Sequence, residues 1–366
     1  MTKLPRLPAA LPSWSVLLPV LGLAALAGLY GRSLGAIGIV LASACLVAAV
    51  TSAVHHAEVV AHRVGEPFGT LVLAVAVTII EVALIVSLML AGGAAASALA
   101  RDTVFAAIMI VCNGVLGLCL LVGGVCHREV AFRVEGSSPP LAVLVALSGL
   151  TLVLPSYTVS TPGPTFNGAQ LAFAGVASLL LYGAFVFVQT VRHRDYFLPL
   201  GAAEGDTHGH AAPPSTPVAW AALGLLMLSL VAVVGLAKTL APTLEAAVSR
   251  AGAPQAVVGV IVALIVLLPE TMAAVRAAVH NRLQTSVNLA LGSALASIGL
   301  TIPAVALLSP WFPHPLALGL APKEMVLLLL SFLISAITLA GGRATVLQGA
   351  VHLVLFAAFL FLAVVP

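Results

Sequence analysis

The chain reads as long apolar runs cut by short polar breaks. Runs fall near residues 14–30, 35–55, 67–91, 103–125, 139–154, 168–190, 217–241, 253–279, 286–308, 322–340 and 343–365. Most approach the roughly 20 residues that an α-helix needs to cross a hydrocarbon core of about 30 Å. Long period-two alternation is missing, so the runs predict helices and not the strands of a β-barrel. The breaks are rich in turn formers: Gly31-Arg32-Ser33, Gly92-Gly93, Ser137-Ser138-Pro139-Pro140, Thr161-Pro162-Gly163-Pro164 and Gly341-Gly342. The pattern predicts an all-α polytopic membrane protein of about eleven spans, the fifth being the shortest.

Composition agrees with lipid as the solvent. Of 366 residues, 61% are hydrophobic and 7% charged, against about 25% charged in a soluble domain. Aromatics are only 5%, and small residues fill the runs, which lets helices approach closely in a bilayer. The start, MTKLPRLPAALPSW, places basic residues before an apolar run with no small-x-small cleavage site ahead of a polar segment, so the first run is read as a retained span. Cys112, Cys119 and Cys126 are spaced by seven and share a helix face; with Cys45 they read as small packing residues and not as a disulfide framework.

Charge sets the orientation. The net charge of +3 is too small to suggest nucleic acid as a partner. Lys3, Arg6, Arg63, Arg128, Arg133, Arg192, Arg194, Arg276, Arg282 and Arg343 fall on the side of the N-terminus. Arg32, Arg101, Lys238, Arg250 and Lys323 fall on the other. The excess of positive charge places the N-terminus in the cytoplasm. The expected division is a tail and extra helix over 1–34, a first repeat over 35–190, a cytoplasmic polar loop over 191–216 containing His208 and His210, and a second repeat over 217–366. Two histidines in such a loop fall far short of a metal site.

Two carboxylates stand inside apolar runs: Glu81 in the third span and Glu270, after Pro269, in the eighth. A carboxylate at that depth costs roughly 2.5–3.5 kcal/mol on insertion scales and marks an ion path. The third and eighth spans run in opposite directions, the mark of two inverted-topology five-helix repeats. Thr78 lies a turn before Glu81; Asn113 follows in the fourth span, and Ser293 and Ser297 in the ninth. These neutral oxygens and the two glutamates form the candidate metal set, with Glu81 and Glu270 also binding protons. Burial and a neighbouring like charge both favour the protonated acid, so a cation must displace protons. Pro269 cannot donate to the carbonyl of Ile265, which predicts a helix break offering a further oxygen. Glu58 and Glu66 are expected at the cytoplasmic entrance, where a carboxylate gathers cations.

These residues resemble the calcium/cation antiporter superfamily, and within it the cation/proton exchangers of the ChaA type. Family members carry G-N-x-x-E in each repeat; here the stretches read Val77-Thr78-Ile79-Ile80-Glu81 and Val266-Leu267-Leu268-Pro269-Glu270. The flanking HAEVVAHRVGEPFGTL and NLALGSALAS match better. The resemblance covers nearly the whole chain from about residue 35. It implies a secondary active transporter of the bacterial inner membrane, exchanging Ca2+, Na+ or K+ for protons with no cofactor, and with membrane lipid and inorganic cations as its partners. Thr78 and Leu267 replace the signature asparagines, and Leu300 stands where a glutamine is common, so fewer neutral oxygens line the site.

Other readings fare worse. His55 to His62, HHAEVVAH, lacks the H-E-x-x-H spacing of a zinc protease, and reads instead as a juxtamembrane surface helix. No phosphate-binding loop or convergent catalytic set points to an enzyme. A cation channel is the remaining alternative; it needs a pore lined at several depths, which two centres in opposed repeats fit less well than alternating access.

Overall fold

The computed structural model describes residues 11–32, 34–65, 68–91, 94–198 and 214–365. In lipid every backbone polar group must be satisfied within the protein, and helices achieve this locally. The chain accordingly folds as α1 (Ser13–Leu29), α2 (Ala36–Val64), α3 (Phe68–Ala91), α4 (Leu99–Met109), α5 (Leu116–His127), α6 (Val134–Ser148), α7 (Gly168–Phe187), α8 (Thr216–Arg250), α9 (Ala256–Val279), α10 (Leu283–Leu308), α11 (Pro322–Ala340) and α12 (Val346–Val364). Ten helical stretches among the described residues are long and apolar enough to cross a membrane, and α1 is a shorter apolar helix. One of the ten, Ala96–His127, joins α4 and α5 through a π-helical stretch, Ile110–Val115.

Three local expectations change. The fifth span begins at Val134 and not near 139, with Pro139 and Pro140 inside α6. Ser137 Oγ donates to the Arg133 carbonyl at 2.9 Å there. The two prolines remove the N–H groups that would serve the Glu135 and Gly136 carbonyls, so the loss is confined to the first turn of the helix. The break expected at Pro269 does not form: α9 runs through it unbroken. The His55–His62 stretch is not a separate surface helix but the last part of α2, with His56 fully buried.

Packing divides the chain into two units, Met1–Ile80 with Glu204–Thr243 and Glu81–Ala203 with Leu244–Pro366. In the first, α1 lies on α2. The Ser15 carbonyl accepts from Ser52 Oγ at 3.0 Å and from His56 Nε2 at 2.8 Å. Gly22 lets α1 lie close to α8 as well: a Cβ there would sit 3.1 Å from the Ala232 Cβ.

In the second unit α4 packs on α9, α5 on α12, and α7 on α10. The last two pairings join the fourth span to the eleventh and the sixth to the ninth, the correspondence that two repeated halves would produce. Glycines set the spacing. A Cβ on Gly259 of α9 would come within 2.9 Å of the Asp102 backbone, and one on Gly349 of α12 within 2.5 Å of Leu121 N. A two-stranded ladder, β1 (Glu129–Ala131) against β2 (Arg343–Thr345), ties α5 to α12 at one end. That end is held further by His127 Nε2 against the Val279 carbonyl at 2.9 Å and by Arg133 N donating to Gln284 Oε1 at 2.6 Å. Arg128, Arg133, Arg276, Arg282 and Arg343 gather there, whereas Arg101, Arg250 and Lys323 lie at or beyond the opposite helix ends.

Candidate functional site

Glu81 belongs to the second unit and is 3% exposed. A carboxylate so deep must be hydrogen-bonded. Its Oε1 accepts from Ser297 Oγ at 2.6 Å, a length typical of hydroxyl bonds to an ionised acceptor. The donor sits on α10, whose Ser293, Ser297 and Thr301 recur every four residues and so share one face. Ser293 is half-buried and Thr301 fully buried. Carboxylate and hydroxyls together are hard oxygen donors of the kind that suits Na+, K+ or Ca2+. Among the described residues no group of three His, Cys, Asp or Glu side chains gathers as a soft-metal centre would require.

Glu270 is half-buried on α9, directly after Pro269. Thr271 Oγ1 donates to the Leu267 carbonyl at 2.7 Å in the same turn. The proline leaves the Ile265 carbonyl without its usual helical donor.

Asn113 keeps different company. It lies in the π-helical stretch and is 0% exposed; such bulges frequently occur at functional sites. Its Nδ2 donates to Ser331 Oγ of α11 at 2.7 Å, and its Oδ1 faces His352 Nδ1 of α12 at 3.4 Å. Thr338 Oγ1 lies 3.1 Å from His352 Nε2. The neutral Nδ1–H tautomer satisfies both contacts of the imidazole. Ser331, Thr338 and His352 carried no sequence signal beyond being single polar residues in apolar helices.

Thr78 and Glu58 fall in the first unit, Thr78 buried on α3 and Glu58 exposed on α2. Glu66, His208 and His210 lie outside the described residues.

Comparison with known proteins adds to this geometry. The family described as sodium/calcium exchanger protein matches residues 34–191 and 221–365. A putative ionic transporter of Sinorhizobium fredii is 50% identical over 367 residues, with 98% of each chain covered. The sodium-potassium/proton antiporter ChaA of Escherichia coli is 36% identical over 311 residues, with 84% of each covered. Among solved structures, native YfkE has a TM-score of 0.74 at 17% identity, covering 96% of this chain and 100% of that one. At that identity the likeness is one of fold.

Proposed function

The chain belongs to the sodium/calcium exchanger protein family, and from that premise we propose that it exchanges a metal cation for protons across the bacterial inner membrane, with Glu81 and Glu270 as the shared site. The observation that carries the reading is the buried Glu81 carboxyl held by Ser297. An isolated carboxylate cannot stay ionised in a water-poor interior without compensation. It is satisfied either by a proton or by a cation that brings its own charge. Ser293 and Ser297 supply neutral oxygens to that cation in place of water. Competition between the two occupants for one carboxyl is what couples their fluxes. Sodium and potassium are supported as cargo by the activity named for the Escherichia coli relative.

Inverted repeats over 35–190 and 217–366 would allow the site to face either side by rocking one bundle against another. Chain direction and charge support a cytoplasmic N-terminus, since the arginine-rich end of the second unit then lies inside. A reporter fused after Pro366 should therefore stay outside the cytoplasm.

The deciding experiment is dissipation of a preformed pH gradient in inverted vesicles, with NaCl, KCl or CaCl2 added separately. Proton movement on addition of one of these salts, absent from vesicles lacking the protein, supports exchange. Cation conduction that moves no protons would replace it with the channel reading.

A further inference from the structure

A serine or threonine inside a helix can satisfy itself, its hydroxyl donating back to the carbonyl four residues earlier. The buried hydroxyls of this chain follow that habit widely. Ser148, Thr151, Ser178 and Ser331, all fully buried, donate to the carbonyls of Leu144, Leu147, Ala174 and Leu327 at 2.7 or 2.8 Å. Among the described residues three buried hydroxyls depart from it: Thr103, Thr301 and Ser335 meet no partner within hydrogen-bond geometry. Burying a hydroxyl unpartnered costs stability, so each such group calls for a reason.

Thr301 is the one of the three on the face of α10 that serves Glu81. It stands one turn beyond Ser297, the donor to the Glu81 carboxyl. It is 0% exposed, and Ile298, Ile302 and Val305 beside it on α10 are buried as well, so bulk water does not reach the hydroxyl. Side chains four apart on a helix stand about 5–6 Å apart at Cβ. A hard cation holds each oxygen at about 2.3–2.6 Å. One ion set between the two hydroxyls can therefore touch both. Ser297 Oγ is itself 2.6 Å from Glu81 Oε1, which puts the carboxylate within reach of the same ion.

We propose that Thr301 is a further ligand of the cation held at Glu81, its hydroxyl kept out of the helix's own bonding for that purpose. The assignment rests on the cation site inferred above, to which Thr301 adds a third neutral oxygen after Ser293 and Ser297. An alcohol oxygen is a hard donor and suits Na+, K+ or Ca2+ better than a metal that prefers sulfur or nitrogen. A split between stability and affinity follows. The hydroxyl weakens the protein without cation, where it lacks a partner, and strengthens the protein that holds one. A hydroxyl with a purely structural task would stabilise both forms alike.

The test is thermal unfolding of the purified protein in detergent, with NaCl, KCl or CaCl2 titrated separately at an ionic strength held constant with choline chloride. The rise in midpoint gives a half-saturating concentration for each salt that acts. Thr301→Val keeps the shape and removes the hydroxyl. Its midpoint without cation should equal or exceed that of the wild type, and its half-saturating concentration should rise at least threefold. Thr301→Ser, which restores the oxygen, should stay below threefold. So should Thr151→Val, which removes a buried hydroxyl that has its own helical bond. A rise below threefold in Thr301→Val, or of threefold or more in either of the other two, overturns the assignment. A Thr301→Val protein that fails to fold, or is less stable than the wild type without cation, also overturns it. Proton flux in vesicles is read separately. A wild type that a cation stabilises but that moves no protons sinks the exchange reading and leaves the Thr301 result standing. No stabilisation by any of the three salts removes the cation site, and Thr301 with it.

Discussion

Ser297 and Asn113 hold matching places in the two halves of the chain, each on the span after the one that carries a glutamate in an apolar run. Their surroundings differ. Ser297 lies in uninterrupted α10 and donates to Glu81. Asn113 lies in a π-helical stretch and bonds to Ser331 and His352. Each extra residue in a helical turn rotates the remainder of the helix by about 100°, enough to carry a side chain from one neighbouring helix to the next. One insertion-like distortion therefore accompanies two different settings for similarly placed polar residues: one donates to the Glu81 carboxyl, and the other anchors a second polar cluster. Matching positions in the two halves thus need not share a task, because a local departure from α-geometry gives one of them different neighbours.

The largest effects should come from the glutamates themselves. Glu81→Gln and Glu270→Gln should each cut cation-driven proton flux at least a hundredfold, at normal membrane expression. Glutamine keeps the shape but removes the titratable charge, and a neutral amide is easier to bury than a carboxylate. The double variant should be no worse than either single one, because each already disables a shared site. Near-normal flux in one variant only would show that the two halves differ in kind as well as in packing.

Substitution of the matched pair probes the comparison directly. Ser297→Ala removes a hydrogen bond to a carboxylate, worth about 1.5–3 kcal/mol, or roughly ten- to a hundredfold in equilibrium terms. The expected sign is a higher half-saturating cation concentration, since Glu81 without its donor favours the proton. Asn113→Ala leaves Ser331 its bond to the Leu327 carbonyl but strips His352 Nδ1 of its partner, and a buried polar group left unsatisfied costs about 1–3 kcal/mol of stability. It should lower the thermal unfolding midpoint in detergent and shift half-saturation less than Ser297→Ala does. The reverse order would return Asn113 to the cation site and leave the second cluster without its anchor.

Much of this architecture was legible in the chain because lipid restricts the options so severely. A run such as 286–308 has little choice but to be a helix, and Glu81 stands out where almost every neighbour is apolar. Legibility stops at side-chain direction. The π-helical stretch around Asn113 has no composition of its own, and Ser331 and Thr338 look like the ordinary small residues of membrane helices. His352 meets Asn113 across 239 positions, a pairing set by how α5 and α12 dock. Pro269 misled in the other direction. Proline in a soluble helix signals a break, but neighbouring helices hold α9 in line, and only one backbone bond is lost.

The smallest expected effects compare the two repeat-related helix pairings, α5 with α12 and α7 with α10. Gly349 of α12 lies so close to α5 that an added Cβ would meet Leu121 N at 2.5 Å and Leu121 Cα at 2.8 Å. Both atoms are backbone, so the helices themselves must separate. Gly349→Ala should cost about 1–3 kcal/mol, the usual range for overpacking, and should lower the thermal midpoint. It would also move α12, and so the His352–Asn113 contact. Gly175 of α7 faces α10 with room to spare: an added Cβ would lie 3.6 Å from Pro303 Cα, an ordinary contact. Gly175→Ala should therefore be neutral within about 0.5 kcal/mol, as substitutions away from tight contacts usually are, and the lower backbone entropy of alanine in the unfolded chain pushes it toward slight stabilisation. A large loss at Gly175 and none at Gly349 would mean that α12 does not approach α5 this closely in the bilayer, and the docking that carries His352 to Asn113 would have to be redrawn.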